Sequence, residues 1–413
     1  MKEAVVVDAL RTPFGRAGWR GVFRDITAIE LSVSAIKALL DRTKVDPNEI
    51  EHMVVGSVLL PGGFDRNLAI EAELPEEIGC HLTNRQCASS LEATAEAAAM
   101  IMTEQADVVM AVGAETDGRF DPVDPKTAGP RGDAWAAPSG TLRERANARG
   151  ELPEDWKNAE LLPRYDEKVP DWIWNMGMTA EALSQRYGVS REDSDAYAYQ
   201  SHKKSAAAGD AGKFQDHVIP IKIQYEDGSS VVVEQDQCVR PDTTLEKLST
   251  LRSAYKEEGL CTAGNSCPRN DGASAALLMS KERAKALGYE PLATIKGWAG
   301  HGVDPRVMGI GPAPATERLL NRMGMAVTDF DLVELNEAFA CQCVHLQREM
   351  GIPEERLNVN GGAVAIGHPY GATGVRLIAQ LGHEMKRRDA EWGLATLCIG
   401  GGQGMSMAFQ REA

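Results

Sequence analysis

No stretch of this 413-residue chain is apolar for long enough to span a bilayer. No basic, apolar leader stands before the strand-like Ala4-Val5-Val6-Val7, so no export signal is read and a cytoplasmic protein is expected. Cys-x-x-Cys pairs are missing. The eight cysteines (80, 87, 238, 261, 267, 341, 343 and 398) therefore read as thiols rather than as a disulfide framework. Cys341, Cys343 and His345 form a C-x-C-x-H run, but on a helix only Cys341 and His345 share a face. With no further ligand cluster in view, it reads as a buried helix face and no metal is expected. Positive charge is scarce: 44 Lys and Arg against 60 Asp and Glu leave a net charge of −16. Such a surface disfavours nucleic acid, and an anionic ligand would need its own local cations.

What is present is enough chain for two or three domains. Residues 1–118 alternate strand-like segments (Val5–Asp8, Met53–Ser57, Val108–Gly113) with helix-like ones (Ala28–Asp41, Ser89–Thr103), the pattern of a layered α/β domain. Residues 119–175 are rich in Pro, Asp, Gly, Trp and Arg and have no period. Helices are predicted near Thr179–Tyr187 and, behind a Ser190 cap, Arg191–Ala208. A hairpin is predicted from Val218–Ile223 and Val231–Glu234 around Glu226-Asp227-Gly228-Ser229. The whole of 119–262 reads as an inserted lid. Core-like alternation resumes at Ala275–Met279 and continues through 281–413, giving N-terminal (1–118 plus 263–280) and C-terminal (281–413) halves of similar size and a duplicated fold.

Four short patterns carry the chemistry. Cys87, in Asn84-Arg85-Gln86-Cys87-Ala88-Ser89-Ser90, stands at the mouth of an Ala-rich helix, where free N–H groups favour thiolate. The bland alternative is a buried structural cysteine. His368 lies in Gly367-His368-Pro369-Tyr370-Gly371, a tight loop before a helix, placed as a base or as a plain turn histidine. Cys398 follows the apolar strand Leu394–Leu397 and precedes Ile399-Gly400-Gly401-Gly402-Gln403-Gly404. The Gly-Lys-Ser/Thr of a phosphate loop is absent there, so the pairing of thiol and glycine loop reads as proton transfer and oxyanion binding, against another buried cysteine. Asn336, in Asn336-Glu337-Ala338-Phe339, ends a strand and opens a helix. It reads as an N-cap with Glu337 in the first turn, able still to offer its amide to a water.

Taken together, these four patterns resemble the thiolases. The resemblance extends over nearly the whole chain and includes Met176-Gly177-Met178-Thr179-Ala180-Glu181, Thr262-Ala263-Gly264-Asn265 and Gly302-Val303-Asp304-Pro305 through Gly311-Pro312. It implies a duplicated five-layer α/β/α/β/α fold with the lid inserted in the first half. It also implies a two-step acyl transfer with Cys87 as nucleophile, His368 as its base and Cys398 as second acid/base. His368 with a water on Asn336 would make one oxyanion site, and the N–H groups of Cys87 and Gly400 the other. Coenzyme A enters as substrate and no resident cofactor is implied. Arg240, Lys247, Tyr255, Ala263, Cys267, Met176 and Phe339 match positions around it.

Departures bear on the substrate. Cys267 stands where the family usually has serine, Lys247 where short-chain members often do, Asn175 replaces a histidine, and Ser90 a glycine. The stretch from Glu115 to Met176 is longer than in short-chain members and holds Trp135, Trp156, Trp172 and Trp174, which points to a long, branched or aromatic acyl group. The first reading is a degradative 3-oxoacyl-CoA thiolase, and the alternative an acetoacetyl-CoA thiolase working in synthesis. A decarboxylating ketoacyl synthase is disfavoured by Cys398, and a catalytically silent relative by the intact motifs. The resemblance implies a homodimer or homotetramer.

Overall fold

The computed structural model describes residues 2–117, 175–224 and 228–411. The first half runs β1 (Ala4–Arg11), the short β2 (Gly15–Arg16), α1 (Ala28–Thr43), β3 (His52–Gly56), α2 (Phe64–Glu71), β4 (Gly79–Thr83), α3 (Ser89–Met102) and β5 (Val108–Thr116). After the long connection come α4 (Met176–Tyr187), α5 (Arg191–Asp210), the hairpin β6 (Ile221–Gln224) and β7 (Ser230–Val233), and α6 (Leu245–Ser249). Then follow β8 (Asn270–Ser280) and α7 (Lys281–Ala286). The second half repeats the order with β9 (Ala293–Gly302), α8 (Pro312–Met323), β10 (Leu332–Leu335), α9 (Ala340–Met350), the one-turn α10 (Ala363–Ile366), α11 (Thr373–Arg388), β11 (Trp392–Ile399) and β12 (Gln403–Gln410).

The strands lie in the order β10-β11-β12-β9-β1-β8-β5-β3-β4, with β2 beside β8. Each half places a parallel pair (β3/β5, β10/β11) next to an antiparallel hairpin-like pair (β5/β8, β11/β12), which is the duplication made visible. Leu357 bridges Val333 in parallel, the place beside β10 that β4 holds beside β3. The halves meet where β1 and β9 pair at Val5–Thr294 and Val6–Ala293.

Alternating strand residues feed three separate cores, and these define five layers. Val5, Val7, Met53, Val55, Met110 and Leu277 face α1 and α2. Val54, Val109, Leu278, Leu397, Met405 and Met407 face a central layer made of α3 and α11. Val333, Leu335 and Leu394 face α8 and α9. Ala93, Ala95, Ala97 and Ala98 explain why α3 fits between the two halves of the sheet, since small side chains let backbones approach. Where α3 and α11 meet there is room only for glycine: a Cβ on Gly374 would lie 2.1 Å from the Leu91 nitrogen. At the same contact the Val375 N–H donates to Ser90 Oγ at 3.1 Å. The N-terminal ends of the two central helices are thereby set side by side.

The structure adds elements that the sequence pattern did not mark. β4 reads Gly-Cys-His-Leu-Thr, without alternation, and every residue of it is only half-buried. α2 and β12 were also not expected, the latter because its start is disguised by the glycine run. The four tryptophans at 135, 156, 172 and 174 and the turn residues Glu226 and Asp227 lie outside the described residues.

Candidate active site

Cys87 sits on a turn that is tied from within. Gln86 takes φ +50°, Asn84 Oδ1 accepts from the Gln86 N–H at 3.0 Å, and the Ser89 hydroxyl donates to the Gln86 carbonyl at 2.6 Å. α3 begins two residues later. The expectation that the helix mouth would favour thiolate is corrected here. Burial pushes the Cys87 thiol up to about 11, and the N–H groups of Gly400 and of Cys87 itself only partly offset it. At neutral pH the sulfur is a protonated thiol.

His368 is held on three sides. Its N–H donates to Asn270 Oδ1 at 3.0 Å, and the residue before it must be glycine twice over: Gly367 adopts φ +113°, and a Cβ there would lie 2.4 Å from that same oxygen. The Gly371 N–H donates to Glu115 Oε2 at 3.1 Å. Tyr370 stands edge-on to the imidazole at 5.2 Å. Nδ1 lies 2.6 Å from Thr373 Oγ1, and Thr373 donates its own hydroxyl proton to the Pro369 carbonyl at 2.9 Å. Nδ1 therefore carries the ring proton and Nε2 keeps its lone pair. Burial, and then the Arg376 cation, pull the imidazole down to about 3. It is neutral at physiological pH and available as an acceptor.

Asn336 is not the N-cap it was expected to be. α9 starts at Ala340 and is preceded by Phe339, which makes no side-chain cap. Asn336 is fully buried, with Oδ1 accepting from Arg376 Nη2 at 3.1 Å and Nδ2 at 3.4 Å from His368 Nε2. Glu337 is likewise no first-turn residue. It accepts from Ser201 Oγ (2.6 Å), Asn358 Nδ2 (3.0 Å), the Val364 N–H (3.1 Å) and Tyr197 Oη (3.2 Å). A buried carboxylate with four donors ties the Asn336 loop to α5 and to α10.

Cys398 lies inside β11 rather than after a strand, paired with Gly404 across the hairpin. Gly400, Gly401 and Gly402 make the turn, the last two at φ +86° and +89°. The Cys398 thiol donates to Gln342 Oε1 at 3.4 Å. Burial first, and then the nearness of the Cys87 sulfur, beside which a second thiolate would be repelled, hold it well above the usual thiol range. Cys267 is pushed up in the same way, by burial first and by Cys87 next. Burial first and then Asp117 hold the phenol of Tyr370, which stands against His368, well above its usual range, with Cys267 and Cys87 adding to the effect. Three thiols and one imidazole from four distant segments thus share one locality.

Around them runs a wall of Met176, Tyr255, Phe339 and Cys267, which pack with Cys398 in one cluster. Tyr255 and Phe339 meet edge to face at 5.9 Å, and Tyr255 fits against Gly177. The Cys267 N–H donates to the Ala338 carbonyl at 3.0 Å. Ala263, Arg240 and Lys247 are exposed. The Arg240 N–H donates to Nδ1 of buried His202 at 3.2 Å, and Lys203 Nζ reaches the Pro241 carbonyl at 2.7 Å, so α5 anchors this loop. Lys247 is paired with Asp242 at 2.7 Å. Cys341, Cys343 and His345 go separate ways: Cys341 faces Cys261 at 4.0 Å, Cys343 contacts the Asn336 carbonyl, and His345 stacks on Tyr187.

Sequence reasoning passed over Thr373, Arg376, Gln342, Asn270 and Glu115. Thr373 and Arg376, three apart at the start of the helix behind His368, offered a signal because they share a face. The others act across large sequence separations and offered none.

Residues 4–282 match the family described as thiolase, N-terminal domain, and residues 289–411 that described as thiolase, C-terminal domain. The chain is 40% identical over 421 residues to the acetyl-CoA acetyltransferase of Cupriavidus necator, each covered in full. It is 37% identical to a probable acetyl-CoA acyltransferase of Staphylococcus epidermidis, with 100% of this chain and 99% of the other covered. Among solved structures, human mitochondrial 3-ketoacyl-CoA thiolase in complex with CoA superposes with a TM-score of 0.81 at 34% identity, covering 100% of this chain and 98% of that one.

Proposed function

The chain belongs to the thiolase family of acyltransferases, and on that premise we propose that it is a 3-oxoacyl-CoA thiolase. The reaction is the reversible cleavage of a 3-oxoacyl-CoA by CoA to acetyl-CoA and a shortened acyl-CoA. The observation that carries the reading is the shared locality of Cys87, Cys398 and neutral His368, with the N–H of Gly400 turned to the Cys87 sulfur.

In the first step the Cys87 proton passes to the Nε2 lone pair of His368 as the sulfur attacks the 3-keto carbon. Because the thiol is held up and the imidazole held down, this transfer is unfavourable by itself and is drawn forward by the bond the sulfur makes to the substrate. The N–H groups of Cys87 and Gly400, freed from the sulfur as it bonds to carbon, receive the developing oxyanion. The C2–C3 bond then breaks. The electron pair moves into the acetyl-CoA enolate, whose oxygen faces His368 and Asn336, and Cys398 delivers a proton to C2. In the second step the thiol of an incoming CoA gives its proton to the Cys398 thiolate as it attacks the acyl-Cys87 thioester, and Cys87 leaves and takes back the proton held by His368, which restores the free enzyme.

CoA would lie with its nucleotide by Arg240 and Lys247 and its pantetheine between Met176, Tyr255, Phe339, Ala263 and Cys267. Arg240 supplies local positive charge on an acidic protein. In this reading residues 119–262 act as the CoA-binding lid between an N-terminal half (1–118 plus 263–280) and a C-terminal half (281–413). The protein works as a homodimer or homotetramer in the cytoplasm.

Incubation with a panel of thioesters, from acetoacetyl-CoA to long, branched and aromatic 3-oxoacyl-CoAs, tests the reading. An acyl mass on Cys87 and release of acetyl-CoA are expected. Carbon dioxide release from malonyl thioesters, or no adduct with any member, would overturn it. The acetyl-CoA acetyltransferase names of the bacterial relatives favour a second reading, an acetoacetyl-CoA thiolase working in condensation. Highest kcat/KM on acetoacetyl-CoA selects that reading, and highest kcat/KM on longer chains selects the first.

A further inference from the structure

We propose that Arg376 is a positioning residue for this reaction, holding the Asn336 side chain in the orientation that turns its amide N–H group toward His368. The inference rests on the reading of the site given above. Arg376 is fully buried on α11, one turn past Thr373. Its guanidinium reaches two acceptors: Nη1 donates to Glu334 Oε2 at 3.3 Å and Nη2 to Asn336 Oδ1 at 3.1 Å. A guanidinium can only donate. The Asn336 atom facing it is therefore the carbonyl oxygen, and the atom 3.4 Å from His368 Nε2 is the amide nitrogen. Glu334 is itself fixed from behind, accepting from Gln380 Nε2 at 3.0 and 3.2 Å.

One face of one helix thus sets two groups. Thr373 decides which imidazole nitrogen carries the proton, and Arg376 decides which end of the Asn336 amide looks into the site. The second decision matters chemically. A flipped amide would set a carbonyl oxygen against the His368 Nε2 lone pair and remove the N–H group that turns the water of the oxyanion site toward the enolate. Lysine cannot replace the arginine here, because a single ammonium on a flexible stem lacks the planar fork that spans Glu334 and Asn336 together.

The test is a double-mutant cycle in the full-length enzyme, with kcat and KM for thiolysis of a 3-oxoacyl-CoA and intact-mass detection of acyl-Cys87. Arg376→Lys is expected to lower kcat on the order of 30-fold, with KM changed by no more than about threefold. Asn336→Ala is expected to cost about as much, and the double variant to be no slower than Asn336→Ala alone. Losses that multiply in the double variant, or an Arg376→Lys enzyme with wild-type kcat, overturn the proposal. If Arg376→Lys does not fold, Glu334→Gln takes its place. It leaves the cation and weakens its aim, so its kcat loss must disappear in the Asn336→Ala background, and persistence overturns the proposal. A wild type that never acylates Cys87 defeats the reaction assignment instead, whereas a wild type that acylates while the losses multiply defeats only the role of Arg376.

Discussion

The two halves close the same antiparallel strand pair in opposite ways. In the C-terminal half β11 turns into β12 through three glycines, 400–402. In the N-terminal half the equivalent pair, β5 and β8, is joined by everything from Asp117 to Arg269. A tight turn brings backbone N–H groups close to a neighbouring sulfur, and a long insertion brings side chains and bulk. The duplication therefore supplies one frame twice, and the two hairpin ends divide the work: the glycine turn touches Cys87, and the insertion contributes Met176 and Tyr255 to the wall beside Cys398. The central helices divide it too, because the turn before α3 carries a thiol and the loop before α11 carries an imidazole.

That division is broken most severely by removing one sulfur from each half. Cys87→Ala should lower turnover by on the order of 10⁴-fold or more and leave no covalent adduct. Cys398→Ala should lower overall turnover by about 10³-fold yet still accept an acyl group from a simple acyl-CoA, because that half-reaction makes no carbon–carbon bond. Intact mass after brief incubation, with solvent deuterium uptake at C2 of acetyl-CoA, separates the two. Equal loss of acylation in both variants would mean that the halves are not specialised in this way.

The comparison can be sharpened without mutation. A thiol activated by the helix it precedes would be alkylated at a rate that levels off below the ordinary thiol range. Burial instead pushes Cys87 up to about 11, so its thiolate fraction grows about tenfold per pH unit through the neutral and mildly alkaline range. The iodoacetamide rate at Cys87 in the substrate-free enzyme should keep climbing toward that value. A plateau near neutrality would show that the helix mouth outweighs burial after all.

How much of this could be read from the chain depends on how local each signal is. Strands β1, β5 and β10 and helices α1, α3 and α11 carry their periodicity in their own residues, so they were legible with ends off by up to three residues. So was the layered order, because alternation and helical spacing recur on both sides of one irregular stretch. Asn336 and Glu337 misled because Asn followed by Glu is also what a helix start looks like. Their actual partners, Arg376, Ser201, Asn358 and Val364, are supplied by the tertiary fold. The Cys87 thiol misled for a similar reason: the dipole of α3 is visible in the sequence, and the desolvation that defeats it is not.

The smallest effect concerns the insertion itself, and whether the two cations proposed to meet the nucleotide do so equally. Lys247 and Arg240 are both exposed, but their circumstances differ. The Lys247 ammonium is 2.7 Å from Asp242 Oδ2 and 2.9 Å from the Asp242 carbonyl, so a phosphate must compete for it. Arg240 rides on a loop whose backbone is fixed to buried His202 and, through Pro241, to Lys203. Fixing the backbone lowers the entropy lost when the guanidinium meets an anion. Arg240→Ala should therefore raise KM for CoA about fivefold, and the difference should shrink at high salt. Lys247→Ala should change it by no more than about twofold. If Lys247→Ala proves the costlier change, the phosphate pulls the lysine from Asp242 on binding, and the insertion rearranges around its ligand where the glycine turn of the other half stays fixed.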